Sequence, residues 1–276
     1  MMATDRISPL KTILAFLIAV PFVFPFLFLI ATSLRTAVDF AANPGGIPAA
    51  FTFANLTTAW GDANLGHALI VTLIMSAVAC VVCVAVALPA AFWFRLQQKP
   101  SADVIRTVMV AGYAIPMIVW LIPIFVMLST VGLTGNYLVA GVLNGASSVP
   151  FAIYFLYTYF LLVVTDDMLD AASLDSAGAY DQFRYIAMPM AGPAIASIVA
   201  LVFVWTSGDI LIAATLLQSN PDAFPLPLAA TTLSARESVN LQGQAAAALV
   251  SLVPVVLIFA LAQKHLVAGF GGVSEK

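Results

Sequence analysis

The stretch Asp170–Pro193, DAASLDSAGAYDQFRYIAMPMAGP, is a polar segment between two long apolar runs, and its place in the chain decides the fold. Asp167 can cap the start of a first short helix. Gly178 offers a break, after which a second short helix is predicted over Ala179–Met188. The apolar residues of this second helix are expected on one face: Tyr180, Phe183 and Ala187. Two short helices with an uncovered apolar face indicate a docking element for a soluble partner.

Residues 165–190, which overlap this stretch, are called the acidic loop because of their charge. It carries five aspartates and a single arginine: Asp166, Asp167, Asp170, Asp175, Asp181 and Arg184. A helical hairpin that lies on lipid usually carries Lys and Arg towards anionic headgroups. The opposite sign therefore favours docking on a basic groove of a protein over an interfacial position on lipid.

The overall composition is that of a polytopic membrane protein. Hydrophobic residues make up 62% of the 276 residues and charged residues only 8%, with a mean hydropathy of +1.06. A soluble domain averages about 25% charged residues. The net charge of −3 gives no indication of a nucleic-acid partner. The first apolar run lacks a clear cleavage site, so we expect a retained span rather than a signal peptide.

Apolar runs of about 20 residues predict an all-α membrane protein with six transmembrane helices. Residues 107–165 carry no charge and are too long for one crossing, so Ser129–Asn136 is expected to divide them into two spans. Pro193 suits a first helical turn and is expected to open the fifth span. All six helices are assigned to a single transmembrane domain, residues 1–276, with approximate spans 12–34, 66–94, 107–128, 137–164, 193–217 and 244–263.

The distribution of Lys and Arg predicts that both termini are cytoplasmic, in a multi-pass protein of the cell membrane. This orientation leaves only Arg35 and Arg236 outside. It places eight basic residues inside: Arg6, Lys11, Arg95, Lys99, Arg106, Arg184, Lys264 and Lys276. The positive-inside rule therefore puts the acidic loop in the cytoplasm.

The acidic loop resembles the EAA loop of ABC-importer permeases. Asp170–Ala172 stand in the EAA positions. Asp175 and Ala177 match the first and last residues of the DGA that follows, and Ile186–Pro189 match the I-x-[LM]-P ending. Two residues depart from the family pattern: Asp170 replaces Glu, and Ser176 replaces Gly. If the turn requires a positive φ at Ser176, a free-energy cost is expected that Gly would avoid; alternatively, the turn lies at Gly178.

Two further stretches resemble the carbohydrate-uptake branch of this family, which contains the maltose-type inner permease. They are Pro150–Phe160, PFAIYFLYTYF, before the loop, and Gln263–Val273, QKHLVAGFGGV, near the C-terminus. The resemblance implies a type I ABC importer permease fold and a role in uptake of a sugar or related polar solute. The chain would then form half of the translocation path, beside a second homologous permease.

The resemblance also implies that the acidic loop couples the chain to two ATPase subunits, and that an extracytoplasmic solute-binding protein delivers the solute. No G-x-x-x-x-G-K-[ST] phosphate-binding motif is present, so no cofactor is expected in this chain and ATP and Mg would be bound by the ATPase subunits. The expected coupling residues are Asp170, Ala171, Ala172, Asp175, Ser176, Ala177, Gly178, Phe183 and Pro189.

An ionisable residue inside a predicted span indicates where the solute path runs. Asp209 lies in the fifth span, in the run WTSGDIL, and such a residue is functional by default. Two interpretations stay open: Asp209 accepts hydrogen bonds from solute hydroxyls, or it is a helix-packing or interfacial carboxylate paired with the partner permease. Polar residues are also expected to interrupt the fourth span. The full set of path candidates is Asp209, Trp205, Asn144, Ser147 and Tyr154.

Other motifs carry weaker indications. Cys80 and Cys83 form a C-x-x-C within a span, where two small buried hydrophobes are expected rather than a redox or metal site. His67 and His265 lack a partner at ligand spacing, and interfacial positions are expected.

A self-contained secondary transporter or channel is the main alternative function, but it usually shows several intramembrane ionisable residues and repeated halves. An intramembrane enzyme would need a clustered acid, base or metal set, which the sequence lacks.

Overall fold

The computed structural model describes residues 9–97, 100–233 and 240–271, and all regular structure in these ranges is helical. The helices are α1 (Pro9–Ser33), α2 (Ala37–Ala42), α3 (Ala54–Asp62), α4 (Leu65–Leu96), α5 (Pro100–Tyr113), α6 (Met117–Thr130), α7 (Tyr137–Val163), α8 (Asp166–Leu174), α9 (Ala179–Gln182), α10 (Met188–Met190), α11 (Gly192–Ser207), α12 (Leu211–Leu217), α13 (Leu226–Thr231) and α14 (Leu241–Gly271). A π-helical turn, Phe183–Ala187, joins α9 to α10, and a 3-10 turn, Pro221–Ala223, precedes α13.

Within these ranges, four helices are long and apolar enough to cross a membrane: α1, α4, α7 and α14. Two bent pairs raise the number to six if each pair is one span. These pairs are α5 with α6, bent by 88°, and α9–α10 with α11, bent by 71°. The predicted all-α membrane class is therefore confirmed.

The predicted third span, 107–128, is divided between two helices. Helix α5 ends at Tyr113 and α6 begins at Met117, with Pro116 at the cap position. Proline lacks an N–H group and its ring disfavours helical geometry at Ile115, so the helix breaks at this point. The sequence analysis missed this break.

The fourth and fifth predicted spans also differ from the structure. Helix α7 runs unbroken through the polar residues that were expected to interrupt it, and also through Pro150. The fifth predicted span, 193–217, is instead broken between Ser207 and Leu211, where α11 ends and α12 begins. Gly208 and Asp209 lie in this break, and both residue types favour leaving a helix: Gly for its flexibility and Asp because its side chain competes for backbone N–H groups.

The chain divides into two compact units. The first comprises the described parts of Met1–Leu65 and Ala230–Val250. Its organising residue is Arg35, which is 1% exposed and pairs with Asp39 at 3.1 Å. The same guanidinium donates to the carbonyls of Asn43 and Gly46, so one buried cation orders the segment that follows α1.

The second unit comprises the described parts of Gly66–Ala229 and Ser251–Lys276. Its helices α4 and α7 pack closely because two glycines face the α4 backbone. A Cβ atom at Gly141 would lie 2.7 Å from the Met75 carbonyl, and one at Gly145 would lie 2.6 Å from the Ala79 carbonyl. Small residues four apart let helix backbones approach in this way.

The cysteines and His67, which belong to the same unit, have ordinary packing and hydrogen-bond contacts. Cys80 and Cys83 are buried free thiols, and the Cys80 Sγ lies 3.5 Å from the Val199 carbonyl of α11. His67 Nε2 lies 2.7 Å from the Asp222 carbonyl. Several residues used to predict orientation lie outside the described residues, namely Arg6, Lys99, Arg236 and Lys276, and so do the side chains of Lys11, Lys264 and His265.

Candidate functional sites: the acidic loop and the main cavity

The acidic loop begins at Thr165, which caps helix α8. The Thr165 hydroxyl accepts a hydrogen bond from the Met168 amide at 3.4 Å. Asp166 and Asp167 occupy the first turn, where negative charge interacts favourably with the helix dipole. The expectation that Asp167 is the cap was wrong by two residues, because the hydroxyl of Thr165 takes that role.

The turn of the acidic loop lies at Ser176 and not at Gly178. Ser176 has a φ of 62°, in the left-handed region, whereas Gly178 has a φ of −73°. The Ser176 amide donates to the Ser173 carbonyl at 3.0 Å and the Ala177 amide to the Ala172 carbonyl at 2.9 Å. These two bonds form a Schellman motif, which normally has Gly at the left-handed position. A serine in this conformation stores backbone strain that glycine would avoid.

Gln182 holds the two halves of the acidic loop together. Its side chain is buried, and its amide nitrogen lies 3.0 Å from the Ser173 hydroxyl and 3.3 Å from the Ala177 carbonyl. A third acceptor, the Leu169 carbonyl, lies 3.5 Å away. One side chain of the second short helix thus bonds to Ser173 of α8 and to the turn that follows α8.

The second short helix does not present the predicted common face. Tyr180 is 73% exposed, whereas Phe183 is half-buried and Ala187 is fully buried. Phe183 and Ala187, at the two ends of the π-helical turn, both lie on the inward side, and Tyr180 of α9 does not share it. The exposed apolar residues of the loop are instead Leu174, Tyr180 and Tyr185.

The predicted coupling residues separate into two groups by exposure. Six are exposed: Asp170, Ala171, Asp175, Ser176, Gly178 and Pro189. Three are half-buried: Ala172, Ala177 and Phe183. The Phe183 ring packs against the Phe92 ring of α4, with 5.6 Å between the centroids. Phe183 is therefore an internal contact of the loop with a neighbouring helix, and the exposed residues form its outer surface.

The main cavity has a volume of about 540 Å³ and lies in the second unit, at the break between α5 and α6. Its lining residues come from α5, α6 and the break between them, from α7, and from α11 and the break after it: Gly112, Tyr113, Ala114, Ile115, Pro116, Met117, Trp120, Asn144, Ser147, Ser148, Pro150, Trp205 and Asp209. Four of the five predicted path residues are in this set. Cavities of this size are typical of small-molecule sites.

Asp209 lines the main cavity and also caps helix α12. Its Oδ1 accepts from the amides of Leu211 at 3.2 Å and Ile212 at 3.3 Å, and its Oδ2 accepts from the Ala213 amide at 3.2 Å. Asn144 of α7 approaches Oδ2 at 3.5 Å. Both carboxylate oxygens thus accept hydrogen bonds within this chain, chiefly from the α12 backbone.

The polar residues of α7 are bonded within their own helix. The Ser147 hydroxyl donates to the Asn144 carbonyl at 2.8 Å, and the Ser148 hydroxyl donates to the same carbonyl at 3.0 Å. The Asn144 amide also donates to the Ala140 carbonyl at 3.2 Å. These back-bonds satisfy the hydroxyl donors of two cavity-lining residues without interrupting α7.

Aromatic rings form another part of the cavity, which the sequence analysis found only in part. Phe151 packs between Trp205, at a centroid distance of 5.1 Å, and Tyr113, at 6.2 Å. Tyr113 and Trp120 were missed because they lie on either side of the unpredicted break. The run Gly-Tyr-Ala-Ile-Pro at residues 112–116 was the available signal.

Tyr154 does not line the main cavity. It borders a separate cavity of about 310 Å³ beside α5. No group of three or more His, Cys, Asp or Glu side chains that could hold a metal ion occurs among the described residues. The main cavity therefore offers hydroxyl, amide and aromatic groups with one carboxylate that is already bonded.

Comparison with known proteins agrees with this picture. Residues 84–271 match the family model described as binding-protein-dependent transport system inner membrane component. The chain is 27% identical over 268 residues to the melibiose/raffinose/stachyose import permease protein MelC of Bacillus subtilis, covering 96% of this chain and 95% of that protein. It is 26% identical to the diacetylchitobiose uptake system permease protein NgcG of Streptomyces coelicolor, covering 98% and 88%.

The fold also matches a solved structure. A chain from the structure of a bacterial ABC transporter involved in the import of the acidic polysaccharide alginate superposes with a TM-score of 0.74. The match covers 96% of this chain and 98% of that chain at 19% identity, so it establishes the fold alone.

Proposed function

Since the chain belongs to the family of binding-protein-dependent transport system inner membrane components, we propose that it forms half of a translocation path for a sugar or related polar solute. The chain is a membrane-embedded permease subunit of an ABC importer and has no ATPase site of its own. A self-contained secondary transporter or channel is accordingly not favoured.

The partners of the family are an ATPase and a solute-binding protein. For this chain we propose a finer arrangement: a second homologous permease completes the path, and two ATPase subunits bind ATP and Mg. The proposed location is the plasma membrane with both termini in the cytoplasm, supported by the distribution of Lys and Arg. In this orientation the acidic loop faces the ATPase subunits and the solute-binding protein acts on the other side.

The acidic loop is the proposed docking element, and the observation that carries this is its exposed surface. Leu174 is 88% exposed and Tyr180 and Tyr185 are each 73% exposed. The loop also presents four aspartates that form no ion pair with another of the described residues: Asp167, Asp170, Asp175 and Asp181. Apolar residues surrounded by charge of one sign suit a protein groove of the opposite charge.

The main cavity is the proposed position of the solute path. Tyr113, Trp120 and Trp205 supply aromatic faces, and the hydroxyl of Ser147 supplies a polar group. Aromatic surface combined with a few polar groups suits a sugar ring, which has apolar faces and hydroxyl edges. The sugar uptake named for the two permease relatives supports this solute class.

Co-expression with the genes adjacent to this one tests the proposal. An ATPase is expected to co-purify with the tagged chain, and vesicles of the complex are expected to take up radiolabelled melibiose, raffinose or diacetylchitobiose with ATP. Leu174→Asp is expected to lower ATPase recovery at least tenfold, because a charge replaces an exposed apolar contact of the docking surface.

Val38→Asp is the matched control, because Val38 is 81% exposed on α2 and lies outside the acidic loop. Its ATPase recovery is expected to equal that of the unchanged chain. Full recovery with Leu174→Asp would refute the docking surface. Assembly without uptake of any of the three sugars would refute the solute class and leave the docking surface standing.

A further inference from the structure

Arg95, at the last turn of α4, contacts the junction between α7 and α8, about seventy residues further along the chain. Its side chain is buried, with 8% exposed. Nε and Nη2 donate to the Val164 carbonyl at 3.0 and 2.6 Å, and Nη2 also reaches Asp166 Oδ1 at 2.7 Å. Val164 ends α7 and Asp166 begins α8, so Arg95 binds at the root of the acidic loop.

The contact fits the needs of both partners. The Val164 carbonyl lies at a helix end, where carbonyl groups have no helical N–H partner. A guanidinium presents several N–H groups in a fixed plane, so it can bind this carbonyl with two nitrogens and still reach a carboxylate. A lysine ammonium cannot reproduce this fork. Because the guanidinium is removed from water, losing its partners is costly.

A ring contact one turn earlier on α4 reinforces the same connection. Phe92 is 3% exposed, and its ring lies 5.8 Å from the Phe160 ring of α7 and 5.6 Å from the Phe183 ring of the acidic loop. Polar and aromatic contacts therefore fasten the end of α4 to the loop at both its first and its second short helix. By covalent connection, the loop is continuous only with α7 and α11.

We propose that Arg95 is a positioning residue that makes α4 move together with the acidic loop when the ATPase subunits close. The inference rests on the proposed function, since it assumes that the loop is displaced by ATPase subunits. In this proposal α4 moves together with α7 and α11, and the Arg95 guanidinium transmits the displacement of the loop to α4. Movement of α4 in turn acts on α7 through the close contact of Gly145 with the Ala79 backbone.

The test measures opening of the main cavity and needs no identified solute. Ser147→Cys in a Cys80→Ala, Cys83→Ala background is placed in the assembled complex in proteoliposomes, and its modification by a charged, membrane-impermeant maleimide is timed. Trapping nucleotide in the ATPase subunits with vanadate is expected to change the labelling rate at least fivefold. With Arg95→Met the change is expected to fall below twofold, although the complex still traps nucleotide.

Two variants separate positioning from general stability. Arg95→Lys is expected to give an intermediate change, because an ammonium reaches one of the two partners at a time. Arg106→Met is the matched control and is expected to keep the fivefold change, since Arg106 pairs with Asp103 of its own helix at 2.8 Å and stacks on Tyr157 of α7, and neither contact involves α4 or the acidic loop.

The outcomes distinguish this inference from the proposed function. A full fivefold change with Arg95→Met would overturn the positioning role, and so would loss of the ATPase subunits from both Arg95 variants, because Arg95 would then serve assembly. If the complex with Arg95 intact shows no vanadate-dependent change, the proposed function fails instead.

Discussion

Gln182 in the acidic loop and Asp209 at the main cavity occupy comparable positions with opposite chemistry. Each is a single polar side chain beside a helix break. Gln182 donates N–H groups to acceptors at the end of α8, and Asp209 accepts from three amides at the start of α12. Asp209 meets N–H groups that lack acceptors at the start of a helix, whereas Gln182 meets a side-chain hydroxyl and the Ala177 carbonyl of the turn after α8.

The comparison shows that the two breaks depend on their side chains to different degrees. In the acidic loop, two backbone hydrogen bonds of the Schellman motif also hold the turn at Ser176. After α11, the carboxylate of Asp209 is the group that receives the amides of Leu211, Ile212 and Ala213. We therefore expect the cavity break to be the more sensitive of the two.

The largest effect is expected from Asp209→Ala. Removing the carboxylate leaves three amides at the start of α12 without their acceptor, and loss of a capping group combined with unmet N–H groups costs about 2 kcal/mol. The purified protein in detergent should melt at a temperature about 5 °C lower. The measurement is thermal unfolding of the variant beside the unchanged protein.

Asp209→Asn sharpens this result. The amide oxygen of Asn can still accept from Leu211 and Ile212, so a loss of about 0.5–1 kcal/mol is expected. Equal melting temperatures for Asp209→Ala and the unchanged protein would show that α12 does not depend on this cap. If solute uptake falls as far with Asp209→Asn as with Asp209→Ala, the negative charge of Asp209 is required for transport of the solute.

A smaller effect is expected from Gln182→Leu. The substitution keeps a side chain of similar size but removes the donor for the Ser173 hydroxyl and the Ala177 carbonyl, which costs about 1 kcal/mol. Local opening of the loop should become roughly five times more frequent. Hydrogen exchange at the amides of Ser176 and Ala177 measures this directly.

Gln182→Glu serves as the control, because it keeps the shape and replaces the N–H donors with acceptors. Exchange should rise at least as much as in Gln182→Leu. If both variants exchange like the unchanged protein, the backbone bonds at Ser176 suffice and the contribution of Gln182 to the loop is negligible.

Sequence patterns predicted most of the fold because they depend on short-range properties. Apolar length predicted six spans, and charge predicted an acidic segment between the fourth and fifth. The break at Ala114–Pro116 was missed because the surrounding residues are uniformly apolar, so hydropathy does not change across it. The presence of proline does not by itself predict a helix break, since Pro150 lies inside the unbroken α7.

The sites were less accessible to sequence reasoning. The acidic loop could be located from its charge and its family resemblance, but the buried role of Gln182 depends on the turn that brings it beside Ser173 and Ala177. Arg95 appeared only as one of the eight basic residues placed in the cytoplasm, although it is the group that binds the Val164 carbonyl. The role of Arg95 requires a contact between residues about seventy positions apart, which a single sequence does not display.

The smallest effect, and the only stabilising one, is expected from Ser176→Gly. The φ of 62° at Ser176 places its Cβ close to the following carbonyl oxygen, a conflict that glycine lacks. Removing it should stabilise the turn by about 0.5 kcal/mol, because the extra conformational entropy that glycine loses on folding offsets part of the gain. Exchange at the Ala177 amide should slow, whereas Ser176→Ala, which keeps the Cβ, should bring no gain. Gly178 has a negative φ, so Gly178→Ala should leave the turn at Ser176 in place. A gain from Ser176→Ala equal to that from Ser176→Gly would mean that the serine hydroxyl, and not the backbone conformation, limits the stability of the acidic loop.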